Sequence, residues 1–301
     1  MLTLDDLRFL QTVAESRSLG AAARALDVTA PAVSQRLAAI ERRLNVRLVD
    51  RGRTGLQLTN EGELIAHGGR QILHQMDELA TAVAARRDEL TGRLRIWAPP
   101  GFGRAYVAPL VSAFHARHPQ IVVELTLADR LPENSTEFDL AVYIGELRHS
   151  AFVVTKIAPN RRVLCASPDY LDQYGVPGTP EALALHRCIC LRENEDDASL
   201  WRFVRAKQTL SVRIKPVLAS NDGDVIKQWA LTGAGIIIRS EWHIAAEVRT
   251  GALVPLLPSY TLPSANVVAL FGPSRTPSAR VKKFVDFLRG SLNPPPWRKR
   301  A

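Results

Sequence analysis

The sequence contains few cysteines and no long apolar run. Three cysteines in 301 residues are an odd number and do not make the disulfide framework of a small secreted domain. No apolar stretch approaches the roughly 18 residues that a membrane-spanning helix needs. The first residues also lack the basic and then apolar segments of a secretory signal. With 46% apolar residues, the composition excludes secreted, membrane-spanning and fibrous proteins and predicts a cytoplasmic, globular one.

Lysine is missing from the whole first half of the chain. Only seven of the 39 basic residues are lysine, and the first of them is Lys156. The formal net charge of +9 does not by itself indicate a function, but six arginines fall within residues 30–55 against only Glu41 and Asp50. Nucleic-acid contacts in this half must therefore come from arginine, whose guanidinium can bind phosphate or guanine through two hydrogen bonds.

Three short helices are predicted at the N-terminus. Thr3 and Ser18 are placed to cap the first two, and Thr29, with Pro31 in the following turn, starts the third. The third helix, 30–43, has one apolar stripe, formed by Val33, Leu37 and Ile40 and continued by Leu44 directly after it.

A small hairpin is predicted to follow these helices. Residues 47–50 and 56–58 read as two strands, joined by a turn rich in arginine and glycine. Three helices and a basic hairpin together predict a winged helix-turn-helix domain over residues 1–58, with the helix-turn-helix at about 18–37.

Residues 59–90 are predicted to form one long helix that pairs with another helix. Its apolar residues follow a heptad pattern, and the predicted dimerisation residues are Ile65, Ile72, Met76, Leu79 and Val83. Gly68 and Gly69 interrupt this seam, which indicates a bend or a close contact. The alternative is a helix that packs on its own domain.

From residue 91 to 293, apolar strands alternate with helices, which is typical of an α/β fold with parallel sheets. Strands are predicted at 93–98, 121–127, 140–144, 152–157, 162–166, 188–191, 212–219, 235–238 and 266–271. Helices are predicted at 101–116, 168–174, 222–232, 241–249 and 278–289. The last residues, 294–301, read as a solvated tail.

The N-terminal part resembles the LysR-type transcriptional regulators. The resemblance is carried by the helix-turn-helix from Ser18 to Leu37, by the run from Ile40 to Arg51, and by Leu58, Thr59, Gly62 and Glu63. It is specific over residues 2–65 and weaker to about residue 290. Asn45, Val49 and Asn60 depart from the family at structural positions, whereas Tyr143 and the pair Ile238-Arg239 depart near the expected ligand cleft.

The resemblance implies the architecture and partners of the whole chain. It implies that residues 91–293 form two Rossmann-like lobes, similar to periplasmic solute-binding proteins, with a small effector between them. Lobe I is expected at about 91–162 and 267–290, and lobe II at about 163–266. The resemblance also implies a homotetramer that bends double-stranded DNA at a promoter. The two-fold symmetry of a dimer predicts pseudo-palindromic half-sites.

In a helix-turn-helix, the N-terminal part of the second helix meets the base edges of the major groove. The predicted DNA-binding residues are Ser18, Thr29, Ala30, Pro31, Ser34, Gln35, Arg36, Arg51 and Arg53. Gln35 can read adenine, and Ser34 can reach a base or a phosphate. Arg36 fits a phosphate contact or a base contact equally well, whereas Arg42 and Arg43 fit a phosphate contact or exposure to solvent.

Two segments are predicted to face each other across the effector cleft. In each of them, the end of a strand runs into the start of a helix. The predicted effector-binding residues are Pro99, Pro100, Gly101, Phe102, Arg104, Tyr143, Asn221, Asp222 and Arg239. Exposed amide groups at a helix start suit an anion. Arg104 and Arg239 either bind a ligand carboxylate or form structural ion pairs. An acidic or aromatic small metabolite is the expected effector.

The sequence gives no positive sign of catalysis, a metal or a cofactor. His186, Cys188 and Cys190 would share one face of a strand, but a fourth metal ligand at sensible spacing is missing, so buried cysteines are the better interpretation. The sequence also lacks the nucleophile, zinc and Walker motifs of common enzymes. The alternatives are a constitutive DNA-binding regulator without an effector, an enzyme with an accessory DNA-binding head, and a solute-binding protein.

Overall fold

The computed structural model describes residues 1–52, 55–85, 90–132, 137–145, 152–192, 198–206, 208–272 and 277–298. The chain divides into two compact units, Met1–Glu89 and Leu90–Ala301. Within the described residues, no helix is both long enough and apolar enough to span a membrane.

Three helices form the head of the first unit: α1 (Leu4–Ala14), α2 (Leu19–Ala25) and α3 (Ala30–Leu44). The predicted caps of the first two helices are confirmed, because Thr3 forms a capping box with Asp6 and the Ser18 hydroxyl accepts a hydrogen bond from the Ala21 amide at 3.1 Å. The stripe of α3 is buried in a core with Phe9, Leu10, Val13, Ala22 and Ala23. Burial of one apolar stripe per helix therefore holds the three helices together.

The hairpin consists of β1 (Val49–Gly52) and β2 (Gly55–Leu58), paired antiparallel. The first strand begins two residues later than predicted. The Glu41 carboxylate accepts hydrogen bonds from the amides of Leu48 and Val49, at 2.8 and 3.3 Å, and so ties the start of the hairpin to α3. The tip of the hairpin, residues 53–54, lies outside the described residues.

The long helix α4 (Asn60–Ala85) begins next to the hairpin, and Thr59 caps it by accepting a hydrogen bond from the Gly62 amide at 3.0 Å. A Cβ at Gly62 would lie 2.0 Å from the Leu48 carbonyl oxygen, so only glycine allows this close approach. The predicted end of the helix, 86–89, lies outside the described residues.

The residues of the predicted dimerisation seam have different surroundings in the first unit. Ile65 packs against the core of the head, while Ile72, Met76 and Leu79 are exposed by 47%, 41% and 68%. Gly69 makes the predicted close contact, because a Cβ there would lie 3.0 Å from Leu7 Cδ2 of α1. The seam thus begins as intramolecular packing and continues as exposed apolar side chains. The side chain of Val83 is outside the described part.

The second unit contains twelve described strands and six described helices. The strands are β3 (Gly92–Ala98), β4 (Ile121–Leu127), β5 (Leu140–Ile144), β6 (Val153–Ala158), β7 (Arg162–Ala166), β8 (Cys188–Leu191), β9 (Leu200–Arg205), β10 (Gln208–Arg213), β11 (Pro216–Ser220), β12 (Ile237–Ser240), β13 (Val254–Pro255) and β14 (Val267–Phe271). The helices are α5 (Pro100–Phe102), α6 (Ala108–Arg117), α7 (Pro168–Tyr174), α8 (Gly223–Leu231), α9 (Glu241–Thr250) and α10 (Ala279–Leu292).

A five-stranded sheet forms the first lobe of this unit. Its strand order is β4-β3-β5-β14-β6, with β3 parallel to β4 and β5, and β14 antiparallel to both of its neighbours. A single π-helical turn, Gly103–Val107, joins α5 to α6, and these helices and α10 cover a core that includes Phe102, Phe114 and Phe284. A π turn inside a helix is common at functional sites.

Three small sheets form the second lobe: β12-β7-β13, the parallel pair β11-β8, and the hairpin β10-β9. A parallel bridge from Cys188 to Ile236 connects the first two of these sheets. Asn160 stands where the chain crosses between the lobes, and its amide nitrogen donates to the Ala265 carbonyl at 2.7 Å and to Ser240 Oγ at 3.3 Å. One side chain thus ties the two crossing segments together.

The predicted strand at 212–219 is wrong. Its first residues end β10, and its last residues belong to β11, which pairs with a different strand, β8. The prediction missed β9, although Trp201 and Phe203 alternate there with exposed or partly exposed residues. The apolar run 212–219 was therefore predicted as one strand, but the chain passes from one sheet to another near Pro216.

The prediction of a solvated tail is also wrong for residues 296–298. They form a 3₁₀ turn, and Trp297 is buried in the core of the first lobe with a ring centroid 5.2 Å from that of Tyr106. Trp297 Nε1 and Arg298 Nε donate to Glu241 Oε1 at 3.2 and 2.8 Å. A proline-rich, basic segment looks solvated in sequence, but its single tryptophan finds an apolar site and a buried acceptor.

Candidate functional site

The predicted base-contacting surface of α3 is available to a ligand. Thr29, Ala30, Pro31 and Gln35 are exposed, whereas Ser34 is partly buried. The Ser18 hydroxyl is used as the cap of α2. Buried Val33 and Leu37 lie on the opposite stripe, so α3 presents its N-terminal polar residues outward.

Arg36 has intramolecular partners on α1. Its Nη2 donates to the Asp5 carbonyl at 3.0 Å, and its guanidinium carbon lies 4.7 Å from the centroid of the Phe9 ring. Asp6 Oδ1 lies 3.9 Å from the same nitrogen. In this structure Arg36 therefore anchors α3 to α1.

Asp6 is the centre of this contact between α1 and α3. Its carboxylate accepts a hydrogen bond from the Thr3 amide at 3.0 Å and pairs with Arg43. Burial raises the pKa of Asp6, but the hydrogen bonds from Thr3 and the charge of Arg43 outweigh burial and leave this pKa lowered. Arg43 is thus part of the head's internal packing.

The predicted arginines of the hairpin are only partly described. Arg51 lies in β1, paired with Leu56 of β2. Its side chain and all of Arg53 lie outside the described residues. Their contacts with DNA remain a prediction from the sequence.

A cavity of about 290 Å³ opens between the two lobes of the second unit. All nine residues predicted to bind an effector line it: Pro99, Pro100, Gly101, Phe102, Arg104, Tyr143, Asn221, Asp222 and Arg239. They come from the helix start after β3, the end of β5, the start of α8 and strand β12. The fold therefore brings together segments up to 140 residues apart in the sequence.

Polar side chains connect the two lobes directly across this cavity. Arg104 Nη2 of the first lobe lies 3.3 Å from Asp224 Oδ2 and 3.9 Å from Asp222 Oδ2 of the second. A second link joins Asn221 Nδ2 to Asp129 Oδ2 at 2.6 Å. Arg104 thus makes an ion pair, which is one of the two roles that the sequence left open for it.

His243 connects Arg239 to the acidic side of the cavity. Arg239 Nε donates to His243 Nδ1 at 3.1 Å, and His243 Nε2 lies 2.7 Å from Asp224 Oδ1. Burial and then the charge of Arg239 lower the pKa of His243 to about 4, against the hydrogen bond to Asp224, which raises it. The neutral ring therefore accepts from Arg239 and donates to Asp224, which fixes its tautomer.

The two helix starts at the cavity differ in what they offer an anion. At α8, Asp222 Oδ1 already accepts from the amides of Asp224 and Val225, at 2.7 and 3.1 Å. At α5, Pro100 has no amide hydrogen, so Gly101 and Phe102 supply the first donors. Only the second of these helix starts keeps amide groups that its own cap does not use.

Arg162, Arg202 and Trp242 line the cavity but were missed from the sequence. Arg162 opens the apolar strand β7, and Arg202 stands between the buried Trp201 and Phe203 of β9. An arginine inside an otherwise apolar strand is the signal that could have revealed the first two. Trp242 had no such signal, because its position depends on Gly101, where a Cβ would lie 3.3 Å from the indole.

The three cysteines are free and buried. His186 ends a 3₁₀ turn, not a strand as predicted, and its Nδ1 lies 3.0 Å from the Tyr170 hydroxyl. Cys188 and Cys190 belong to β8, and burial raises the pKa of Cys188 to about 12. Within the described ranges, no three histidine, cysteine or acidic side chains are grouped so that they could hold a metal ion.

These features define a class of protein, a regulator that binds DNA and responds to a small molecule. The class is indicated by the helix-turn-helix head with its hairpin, the long helix, and the two-lobed unit around a ligand-sized cavity. Comparison with known proteins supports this class and identifies the family. The model of the bacterial regulatory helix-turn-helix protein, lysR family, matches residues 4–63, and the LysR substrate binding domain matches residues 87–293.

Relatives are similar along nearly the whole chain. The HTH-type transcriptional regulator DmlR of Escherichia coli (strain K12) is 34% identical over 95% of this chain and 93% of its own. The HTH-type transcriptional activator TtdR of the same strain is 31% identical over 94% of this chain and 91% of its own. These matches show that the chain belongs to the LysR family of transcriptional regulators.

Solved structures share the fold. CrgA, a LysR-type transcriptional regulator from Neisseria meningitidis, is 27% identical with a TM-score of 0.59, covering 97% of this chain and 99% of that one. The Vibrio cholerae virulence activator AphB is 24% identical with a TM-score of 0.61, covering 96% and 99%. The chain is accordingly a DNA-binding transcriptional regulator with an effector-binding domain, and the predicted α/β fold class is confirmed.

Proposed function

We propose that this regulator senses a small anionic metabolite in the cavity of its second unit and controls transcription from pseudo-palindromic promoter sites. It does so as a homodimer or homotetramer in the cytoplasm, without a cofactor and without catalysis. The observation that carries the proposal is the convergence of nine predicted residues from both lobes on one cavity of about 290 Å³. That volume is close to the smallest of the range usual for small-molecule sites.

The cross-cleft contacts supply a route from the cavity to a change in shape. Arg104 and Asp224 hold the lobes together through an exposed ion pair, which is weak by nature. A ligand that interacts differently with the open and closed lobes shifts the population between them. In a dimer, that shift alters the spacing of the two DNA-binding heads.

DNA recognition is assigned to the exposed start of α3 and to the hairpin. In this assignment Gln35 reads a base, and Arg51 and Arg53 contact phosphates. Dimerisation is assigned to the heptad pattern of α4 from Ile72 to Val83, in which Ile72, Met76 and Leu79 are exposed. Exposed apolar side chains at this spacing are typical of a helix that pairs with another.

The test is selection of genomic fragments by the purified protein, together with a thermal-shift screen of small acids. We expect a preferred fragment with two half-sites, and an acid that raises the melting temperature because it binds the folded state. A preferred fragment with no stabilising acid would point to a constitutive regulator. Uniform, salt-sensitive binding with no preferred fragment would contradict sequence-specific regulation.

A further inference from the structure

Two arginines of the cavity differ from the other two in what they contact. Arg104 is paired with Asp222 and Asp224, and Arg239 is hydrogen-bonded to His243. Arg162 and Arg202 also line the cavity and are partly buried, but neither guanidinium has a hydrogen bond or ion pair within the described residues. A guanidinium taken partly out of water without a partner is energetically unfavourable, so such a group commonly marks a binding site.

Unpaired donors of a second kind line the same cavity. The indole nitrogens of Trp97 and Trp242 are buried, and neither has an acceptor in the described part of the chain. Buried donors are rarely left unpaired in a folded protein. Two carboxylates of the cavity, in contrast, have partners: Asp129 accepts from Asn221, and Asp224 accepts from Arg104 of the first lobe and from His243 of α9.

The cavity therefore has unused donors and positive charge, and its carboxylates are occupied. Among the described lining residues, four arginines face three aspartates, Asp129, Asp222 and Asp224, which gives these residues a formal charge of +1 with His243 neutral. A ligand that complements this lining is negatively charged and rich in acceptor oxygens. A guanidinium fork matches the geometry of a carboxylate or a phosphate.

We infer that Arg162 and Arg202 are the anion-binding residues of this regulator, and that they hold a small, oxygen-rich anion bearing a carboxylate or phosphate group. This inference rests on the proposed function, since it concerns the same cavity. It reassigns the two arginines predicted from the sequence: Arg104 holds the lobes together, and Arg239 positions His243. Arg162 stands beside the crossing between the lobes, because its strand partner Ser240 contacts Asn160. An anion bound to Arg162 is therefore close to the segments that cross between the lobes.

The experiment is a tryptophan-fluorescence titration of the full chain with succinate, inorganic phosphate and the uncharged isostere succinamide. All five tryptophans lie in the second unit, and Trp97, Trp201 and Trp242 line the cavity. We expect succinate or phosphate to bind and succinamide to have no effect. Arg162→Ala and Arg202→Ala should each weaken binding by about tenfold or more, as for loss of a charged hydrogen bond. Arg202→Lys keeps the charge but loses the two-pronged guanidinium, so its affinity for the anion should lie between those of the parent and Arg202→Ala.

Arg205→Ala is the matched control, because Arg205 lies on the same strand as Arg202 but contacts Tyr260 outside the cavity lining. Binding of a selected DNA fragment, measured without an added anion, should stay unchanged in Arg205→Ala. The inference is overturned if neither anion binds, or if both bind the double variant Arg162→Ala/Arg202→Ala as well as the parent. If the parent protein shows no sequence-specific DNA binding, the proposed function is contradicted instead. Failure of the inference and failure of the proposed function are therefore distinguishable.

Discussion

Arg104 and Asp224 join the two lobes across the ligand cavity, with 3.3 Å between Nη2 and Oδ2. Both side chains are about half exposed, at 54% and 51%, so water screens the pair. The contact is therefore weak, so a ligand can compete for either side chain. A sensor needs such a contact, because a ligand can shift only an equilibrium with accessible states.

The coupling between these two residues is measurable by a double-mutant cycle. Arg104→Ala and Asp224→Ala should show a coupling in the free energy of unfolding of about 0.2–1 kcal/mol, followed by tryptophan fluorescence. Arg93 and Glu124, 3.4 Å apart on adjacent strands of one lobe, are the control pair. Only the cross-cleft pair should also change the affinity for a cavity ligand. Equal effects of both pairs on ligand affinity would show that Arg104 has no special role.

His243 should make the stability of the second unit depend on pH. The folded pKa of about 4 lies below the unfolded value of about 6.5. The unfolded chain therefore binds the proton first. The contribution is complete above about pH 6.5 and is lost as the pH falls toward 4. The charged groups near the ring are Arg239, Lys227 and Asp224.

The measurement is an NMR titration of the His243 ring together with denaturant unfolding between pH 7 and 4. We expect a ring that titrates near pH 4, and a shallower loss of stability in His243→Gln. A ring that titrates near 6.5 would show that burial and Arg239 do not hold it neutral.

Asp6 and its neighbour Asp5 offer a matched pair in the head. Asp6→Asn removes the charge that pairs with Arg43, so it should lower the free energy of unfolding of the head by about 1–3 kcal/mol. The measurement is denaturant unfolding followed by far-UV circular dichroism. Asp5→Asn loses only an exposed contact with Arg8 at 3.5 Å and should change little. Because the pKa of Asp6 is lowered, its contribution is present above about pH 4 and is lost as the pH falls through the folded pKa. Equal stability of the two variants would contradict this role.

Substitutions of Gln35 and Arg36 should have different effects, the first on base recognition and the second on the stability of the head. Gln35→Ala should relax base preference by about 1–3 kcal/mol at one position while the head keeps its stability. Arg36→Ala should instead lower the stability of the head, since its guanidinium bonds to Asp5 and packs on Phe9. The checks are binding to a panel of single-base operator variants and thermal melting. If Arg36→Ala changes the salt dependence of DNA binding but not the melting temperature, Arg36 contacts a phosphate and has no role in stability.

Trp297 should be essential for the second unit. It is only 5% exposed, and removal of such a ring costs about 3–5 kcal/mol, so Trp297→Ala should unfold the unit at clearly lower denaturant concentrations. Trp297→Phe keeps an apolar ring but leaves Glu241 without one donor, and should cost less. An unchanged midpoint in Trp297→Ala would mean that the C-terminal segment is dispensable.

The sequence predicted the elements whose signals are local. Caps at Thr3 and Ser18, the stripe of α3 and the apolar strands of the first lobe depend on near neighbours, and the structure reproduces them. Trp297 was missed because its partners, Glu241 and Tyr106, are distant in sequence. β9 was missed for another reason: it pairs with the adjacent strand β10, and its only local signal is the short alternation of Trp201 and Phe203.

The candidate site shows the same division. Its position was predictable, because segments that follow strand ends converge at a cleft. The roles of its arginines were not predictable, because they depend on which carboxylates face them. Arg104 meets Asp224 only when the two lobes are assembled, and the Arg162 side chain has no partner in the part of the chain that the structure describes.

Footprinting of a selected promoter fragment, with and without the small acid that most raises the melting temperature, tests the regulator most directly. The proposed mechanism predicts two protected half-sites whose spacing or extent of protection changes when the acid is added. The same footprint at saturating acid would contradict effector control of DNA binding.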